Sequence, residues 1–279
     1  MEKAPGRLQA LFLDLDGSLL DSRRQVGSRD RETIARLLAR GVRVCIATGR
    51  HYELSMRYWR ELGCSGPFLA SDGSVLYHPG ERRVLFWRPI PGDLVREVLG
   101  RAMARGEEFY FHALEAAYFS PNFGRIGVWQ DYAAACAPED LHPALGQMPR
   151  GYLDDSPQVM TVMFHLPTPE FRQELERLCR GRVPLYLQPE GRVAVLSSPD
   201  CDKGRGAARL ASLEGFCLEN AMALGDTGND LPLLRRVGWP VVPENGSADA
   251  LALARYVTAS NDNSPVTCAV EALFPEYLA

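Results

Sequence analysis

Short apolar runs alternate with amphipathic stretches along the first third of the chain. "ALFLDLD", residues 10–16, is an apolar strand that runs into two aspartates. "RDRETIARLLARG", residues 29–41, has apolar positions at helical spacing and a glycine at its end, and "VRVCIATGR", residues 42–50, is a second apolar strand. "YELSMRYWRELG" reads as a further helix and "PFLAS" as a short third strand. This β-α-β-α-β order predicts an α/β fold with a parallel sheet and right-handed crossovers.

After Gly73 the pattern changes. "SVLYHPGERRVLFWRPI" resembles a hairpin about Pro79-Gly80. Two helices, near 92–105 and 168–180, then stand among the strands "EFYFHAL", "AAYFS", "QVMTVMFHL", "PLYLQ" and "RVAVLS". The earlier alternation returns with the helix "GRGAARLASLEG", the strands "AMALGD" and "WPVVP" and further helices. The expected organisation is one alternating α/β domain, residues 1–84 and 197–279, interrupted by an inserted α+β domain, residues 85–196.

Composition narrows the classes. Of 279 residues, 46% are hydrophobic and 24% charged, with a net charge of −4, which fits a globular protein and argues against a broad nucleic-acid surface. No apolar run reaches membrane-spanning length, and the N-terminus meets aspartate too early for a signal-peptide core, so no membrane partner and a cytoplasmic location are expected. The seven scattered cysteines include no CxxC pair and read as reduced thiols. Asn245-Gly246-Ser247 matches a glycosylation acceptor, which matters only after secretion. Lys3 and Lys203 are the only lysines, so arginine carries nearly all positive charge and Lys203 marks a place suited to a compact ammonium.

Polar segments close three of the predicted strands: Asp14-Leu15-Asp16-Gly17, Thr48-Gly49-Arg50 and Gly225-Asp226-Thr227-Gly228-Asn229-Asp230. Carboxyl ends of parallel strands lie along one edge, where ligands bind, so these segments are expected to converge. If the first strand continues through them, Asp14 and Asp16 share a face, and their repulsion calls for a metal ion, a lysine, or both. Asp14, Asp16 and Asp226 are oxygen donors suited to Mg²⁺. Asp14 is a candidate nucleophile toward phosphorus, and Asp16 a candidate acid/base for the leaving alcohol and the hydrolytic water. Gly17 permits a tight turn and close backbone approach to a phosphate. Thr48, with the neighbouring backbone amides, and Lys203 suit the binding of phosphate oxygens.

DLDGSLL, ATGR, a lysine opening a later helix and GDTGND, in that order, resemble the four motifs of the haloacid dehalogenase superfamily. An insert after the third strand resembles the Cof-like phosphatases with an α/β cap of type IIB. The resemblance implies a Rossmann-like core and Mg²⁺-dependent hydrolysis of a small phosphorylated substrate, especially a sugar phosphate, through an aspartyl-phosphate. It makes Asp14 nucleophile and metal ligand, and Asp16 acid/base with its backbone carbonyl on the metal. It assigns Asp226, Asn229 and Asp230 to the metal and phosphate shell, and Gly17, Thr48, Gly49, Arg50, Lys203 and Asn229 to phosphate and substrate. A phosphomutase, a glycosyl-3-phosphoglycerate phosphatase and a non-catalytic phosphometabolite sensor are the alternatives. Two stretches depart from the pattern: Ser71-Asp72-Gly73, where Asn-Gly is common, and "NDNSPVTC" in place of Asp-Gly-Val-Ala.

Other candidates have plainer readings. Gly204-Arg205-Gly206 begins like a dinucleotide fingerprint, but Arg209 takes the place of its third glycine. Phe109, Tyr110, Phe111, Tyr118, Phe119 and Trp129 are candidates to line a substrate pocket in the insert, but alternation in the first segment suits ordinary core packing. Arg50, His51 and His112 are candidates to face the substrate, against the plainer reading of surface or hydrogen-bonded histidines.

Overall fold

The structure is a computed structural model that describes residues 7–124, 127, 145–154, 157–187 and 192–279. Lys3, Trp129 and Cys136 lie outside the described residues. The chain divides into two compact units, one of Met1–Arg50, Ser55–Leu85 and Asp202–Ala279, the other of His51–Leu54 and Phe86–Cys201.

In the first unit, a five-stranded parallel sheet has the spatial order Tyr256–Thr258, Trp239–Pro243, Ala221–Leu224, Ala10–Leu13, Arg43–Ile46. Two of its three inner strands, Ala10–Leu13 and Ala221–Leu224, are buried at every position, as expected where both faces of a parallel sheet are covered. The helix Ser28–Ala39 buries Ile34 and Leu37, and Pro265–Leu273 buries Val266, Ala269 and Val270. The two helices meet at a polar contact in which Asp30 accepts from Thr267 N and Oγ1, both at 2.8 Å.

Phe68–Ala70, expected as the third parallel strand, lies parallel beside the second, joined by a bridge between Ala47 and Leu69 and the bond from Thr48 N to Leu69 O, 3.0 Å. It pairs antiparallel with Val75–His78, and Arg83–Trp87 completes a separate three-stranded sheet. The reason is the turn Ser71–Gly73, where three successive residues have positive φ (47°, 54° and 82°) and reverse the chain at once.

The second unit is a six-stranded mixed sheet ordered Leu185–Leu187, Val193–Ser197, Val159–His165, Glu108–Ala113, Ala117–Phe119, Leu145–Gln147. Its helices, Gly92–Arg105 and Pro169–Cys179, contribute Leu94, Val98, Leu99, Phe171 and Leu175 to a core shared with Phe109, Phe111 and Phe164. Both helices have local end signals: Gly106 ends the first in a left-handed conformation, and Thr168 with Pro169 starts the second. The aromatic alternation is therefore ordinary packing. His51 is buried, with Nε2 3.0 Å from Ala113 O, and His112 is buried beside it. Among the described residues no helix is long and apolar enough to cross a membrane.

Candidate active site

The first strand stops at Leu13, one residue before the aspartates. The ladder carries on through Asp14, whose N–H donates to Leu224 O at 2.9 Å, and the two aspartate side chains find different partners. Asp14 is buried, and its Oδ1 accepts from Lys203 Nζ at 2.6 Å. The Asp16 side chain is half exposed, and Arg50 grips it with two bonds, Nε to Oδ2 at 2.6 Å and Nη2 to Oδ1 at 2.5 Å. Arg50 is itself buried, with its guanidinium carbon 5.2 Å from the Tyr58 ring centroid. Its expected phosphate-binding role is thus preceded here by an ion pair with the acid/base candidate.

Lys203 is the first residue of the helix Lys203–Glu214, which Asp202 caps by accepting from Arg205 N at 2.7 Å. The helix can lie close to the 226–236 segment because residue 204 is glycine: a Cβ there would fall 2.1 Å from Pro232 O. This placement buries the ammonium completely between Asp14 and Asp230, each 2.6 Å away. Burial alone would lower the lysine pKa, but the two carboxylates outweigh it and hold Lys203 charged.

Asp230 supports the rest of its turn. Its Oδ2 accepts from the backbone N–H groups of Asp226 (3.0 Å) and Thr227 (3.1 Å), so both its oxygens are engaged. Asp226 Oδ1 accepts from Ser18 Oγ at 3.0 Å. Gly17, at φ +80°, leaves room for Asp226: a Cβ there would stand 2.4 Å from Asp226 Oδ2. Thr48 Oγ1 accepts from Arg50 N at 3.1 Å, and Gly49 lies beside Asp72 and Asn229. The Asn229 amide donates to Asp72 Oδ1 at 2.9 Å.

Each predicted site residue thus falls at one end of the parallel sheet. Ser18, Tyr58 and Asn245 were not read from sequence as site residues. Ser18 follows the DxDG signal directly, whereas Asn245, which donates to Gly17 O at 2.8 Å, gives no local sign of that role.

Asp14, Asp226 and Asp230 can bring one oxygen each within 4.8 Å of one another. Of these, Asp14 and Asp226 are the hard donors that fit Mg²⁺, since Lys203 and two backbone N–H groups already engage both oxygens of Asp230. Their electrostatics agree: burial, then repulsion from Asp230, pushes Asp226 up to about 6. Burial also raises Asp14 well above the usual carboxylate range, with Lys203 opposing and Asp230 and Asp226 adding. For Asp16 burial acts upward too, but the bonds and charge of Arg50 prevail and hold it low.

A carboxyl raised in the fold keeps protons that the unfolded chain has released. Asp226 therefore costs the metal-free protein stability as pH rises between about 4 and about 6. Relative to Asp226→Asn, the metal-free wild type is expected to lose on the order of 2 kcal/mol across that window. Mg²⁺ is expected to reverse the order at neutral pH. Thermal unfolding in chelator and in Mg²⁺ checks both; parallel pH profiles of the two proteins in chelator would contradict the assignment.

The sequence model of a family described as haloacid dehalogenase-like hydrolase matches residues 11–270. The chain is 24% identical to the 5-amino-6-(5-phospho-D-ribitylamino)uracil phosphatase YitU of Bacillus subtilis, over 92% of this chain and 94% of that one. It is also 24% identical to the pyridoxal phosphate phosphatase YbhA of Escherichia coli, with the same two coverages. In fold it is similar to the crystal structure of a haloacid dehalogenase-like hydrolase from Bacteroides thetaiotaomicron. The TM-score is 0.80 at 22% identity, covering 96% of this chain and all of that one.

Proposed function

The chain belongs to the haloacid dehalogenase-like hydrolase family, and from that membership we propose that it is a Mg²⁺-dependent phosphomonoesterase acting on small phosphorylated metabolites, with sugar phosphates the first class to test. The observation that carries the reading is the Asp14 carboxylate at a strand end, bonded to a buried lysine and grouped with the carboxylates of Asp226 and Asp230. The inserted region, residues 85–196 in the sequence reading, is assigned substrate selection.

Asp14 and Asp226 would hold the metal, with the Asp16 carbonyl, while Asp230 fixes Lys203. Held by those residues, Mg²⁺ would supply positive charge that offsets the negative charge of nucleophile and phosphate. Lys203 adds a second, fixed positive charge, and Thr48 with the backbone beside Gly49 offers donors to the transferring group.

In the first step an Asp14 oxygen bonds to phosphorus as the bond from phosphorus to the alcohol oxygen breaks, and Asp16 gives that oxygen a proton. In the second, Asp16 takes a proton from water, the water oxygen bonds to phosphorus, and the acyl phosphate opens to restore Asp14 and release inorganic phosphate. To carry a proton, Asp16 must yield at least one of its two bonds to Arg50. Arg50 thus acts on the reaction through Asp16 before it meets any substrate.

The test is phosphate release by the purified protein across phosphorylated sugars, pyridoxal phosphate, nucleotides and a ribityl phosphate, with Mg²⁺ or with chelator. Turnover with metal and a fall of about 100-fold or more without it are expected. Isomerised sugar phosphate with little free phosphate would identify a mutase, and metal-dependent binding without turnover a sensor.

A further inference from the structure

Asp72 stands where it costs backbone energy to be. It and Ser71 are non-glycine residues in the left-handed region, a conformation that persists at two successive residues only where the surroundings enforce it. Here the surroundings are the site itself. Ser71 N donates to Arg50 O at 2.9 Å and Asp72 N to Thr48 O at 3.1 Å, so the turn is stitched to the segment that closes the second strand. On its other side, a Cβ on Gly73 would fall 2.4 Å from Asp202 O, at the start of the Lys203 helix. The turn is wedged between two loops of the site, and it aims one carboxylate at a third.

That carboxylate meets Asn229. The amide nitrogen donates to Asp72 Oδ1 at 2.9 Å, and the amide oxygen accepts from Thr227 Oγ1 at 2.8 Å. An ionised carboxylate only accepts, so it selects the nitrogen end of the amide. The nitrogen has a second hydrogen, and it lies 3.6 Å from where a Cβ on Gly49 would be. With its oxygen held by Thr227, Asn229 is presented to the space beside Gly49 as a donor.

We propose that Asp72 is a positioning residue of the phosphate subsite: it orients the Asn229 amide so that Asn229 donates to a phosphate oxygen and does not serve as a metal ligand. The inference rests on the phosphatase reading, but its test does not need turnover.

Inorganic phosphate binding by the full chain in Mg²⁺, measured by titration calorimetry, is compared for wild type, Asp72→Gly, Asp72→Asn, Asn229→Ala and Asp72→Gly/Asn229→Ala. Glycine suits the left-handed backbone, so Asp72→Gly removes the carboxylate without adding strain. Asparagine tolerates that backbone and keeps an accepting oxygen. Asp72→Gly is expected to weaken phosphate about tenfold, the size of one charge-assisted hydrogen bond. Asp72→Asn should stay within about threefold of wild type. Asp72→Gly should change nothing further once Asn229 is alanine, and the Mg²⁺ concentration for half-maximal stabilisation should be the same throughout.

Unchanged or tighter phosphate binding in Asp72→Gly overturns the proposal, since the carboxylate would then act by repulsion or not at all. Full additivity in the double variant overturns it as well, and so does a shift in Mg²⁺ dependence with phosphate affinity intact. A wild type that binds no phosphate sinks this inference together with the phosphatase reading. A wild type that binds it, beside an Asp72→Gly that binds it equally, sinks this inference alone.

Discussion

Asp14→Asn is expected to lower phosphate release by about four orders of magnitude or more and to leave the fold intact. The loss follows because the amide cannot form the acyl phosphate on which both chemical steps depend. The fold survives for an electrostatic reason. Asp14 is buried beside two other carboxylates, and its ionised form is disfavoured there apart from its bond to Lys203. The amide removes that repulsion, while Lys203 keeps its 2.6 Å bond to Asp230. Without metal, the variant should unfold at or above the wild-type temperature. With Mg²⁺ the order should invert, because wild type alone offers the full set of carboxylates. Phosphate release and thermal unfolding, each in Mg²⁺ and in chelator, test the two halves separately. Activity within tenfold of wild type would remove Asp14 from the chemistry.

Lys203→Met is expected to damage both turnover and stability. Its ammonium is fully buried between two carboxylates, and breaking such a cluster by removing one partner typically costs about 3–5 kcal/mol. In a protein of this size that lowers the unfolding temperature by roughly 10 °C. Turnover should fall by about 100- to 1000-fold, the effect of removing one fixed charge from a developing anion. Since the damage is uncompensated negative charge, Mg²⁺ should restore part of the stability and little of the rate. Lys203→Arg should not rescue it, because a planar guanidinium does not fit where a compact ammonium bonds two carboxylates within a closed space. Equal loss of stability with and without Mg²⁺ would mean that lost packing, not charge, is the cause.

The strands and helices of both units were legible where their signals are local. The helices Gly92–Arg105 and Pro169–Cys179 lie where apolar spacing and end residues put them, since a glycine in left-handed conformation and a capping threonine act within one turn of chain. The strand Tyr256–Thr258 gave no comparable signal: it is three residues long and only one of them is buried. The third strand was legible as a strand, parallel to the second at the Ala47–Leu69 bridge, but its antiparallel partner Val75–His78 was not. That pairing depended on the reversal at Ser71–Gly73, and positive φ at serine and aspartate is not visible in composition or period.

By itself the sequence determined which chemistry the chain can hold: two aspartates beyond a first strand, threonine and glycine beyond a second, a lone internal lysine and a GDxxND turn, ordered so that a parallel sheet gathers them at one end. Periodicity and strand direction suffice for that, because both are properties of neighbouring residues. Only the tertiary structure decided the pairing. Lys203 went to Asp14 across 189 positions, Arg50 to Asp16 across 34, and Asn229 to Asp72 across 157. Charges of the same kind are interchangeable in a sequence. In a fold, burial and a distance of 2.6 Å choose between them, since the energy of a buried pair depends on which carboxylate the backbone brings within reach.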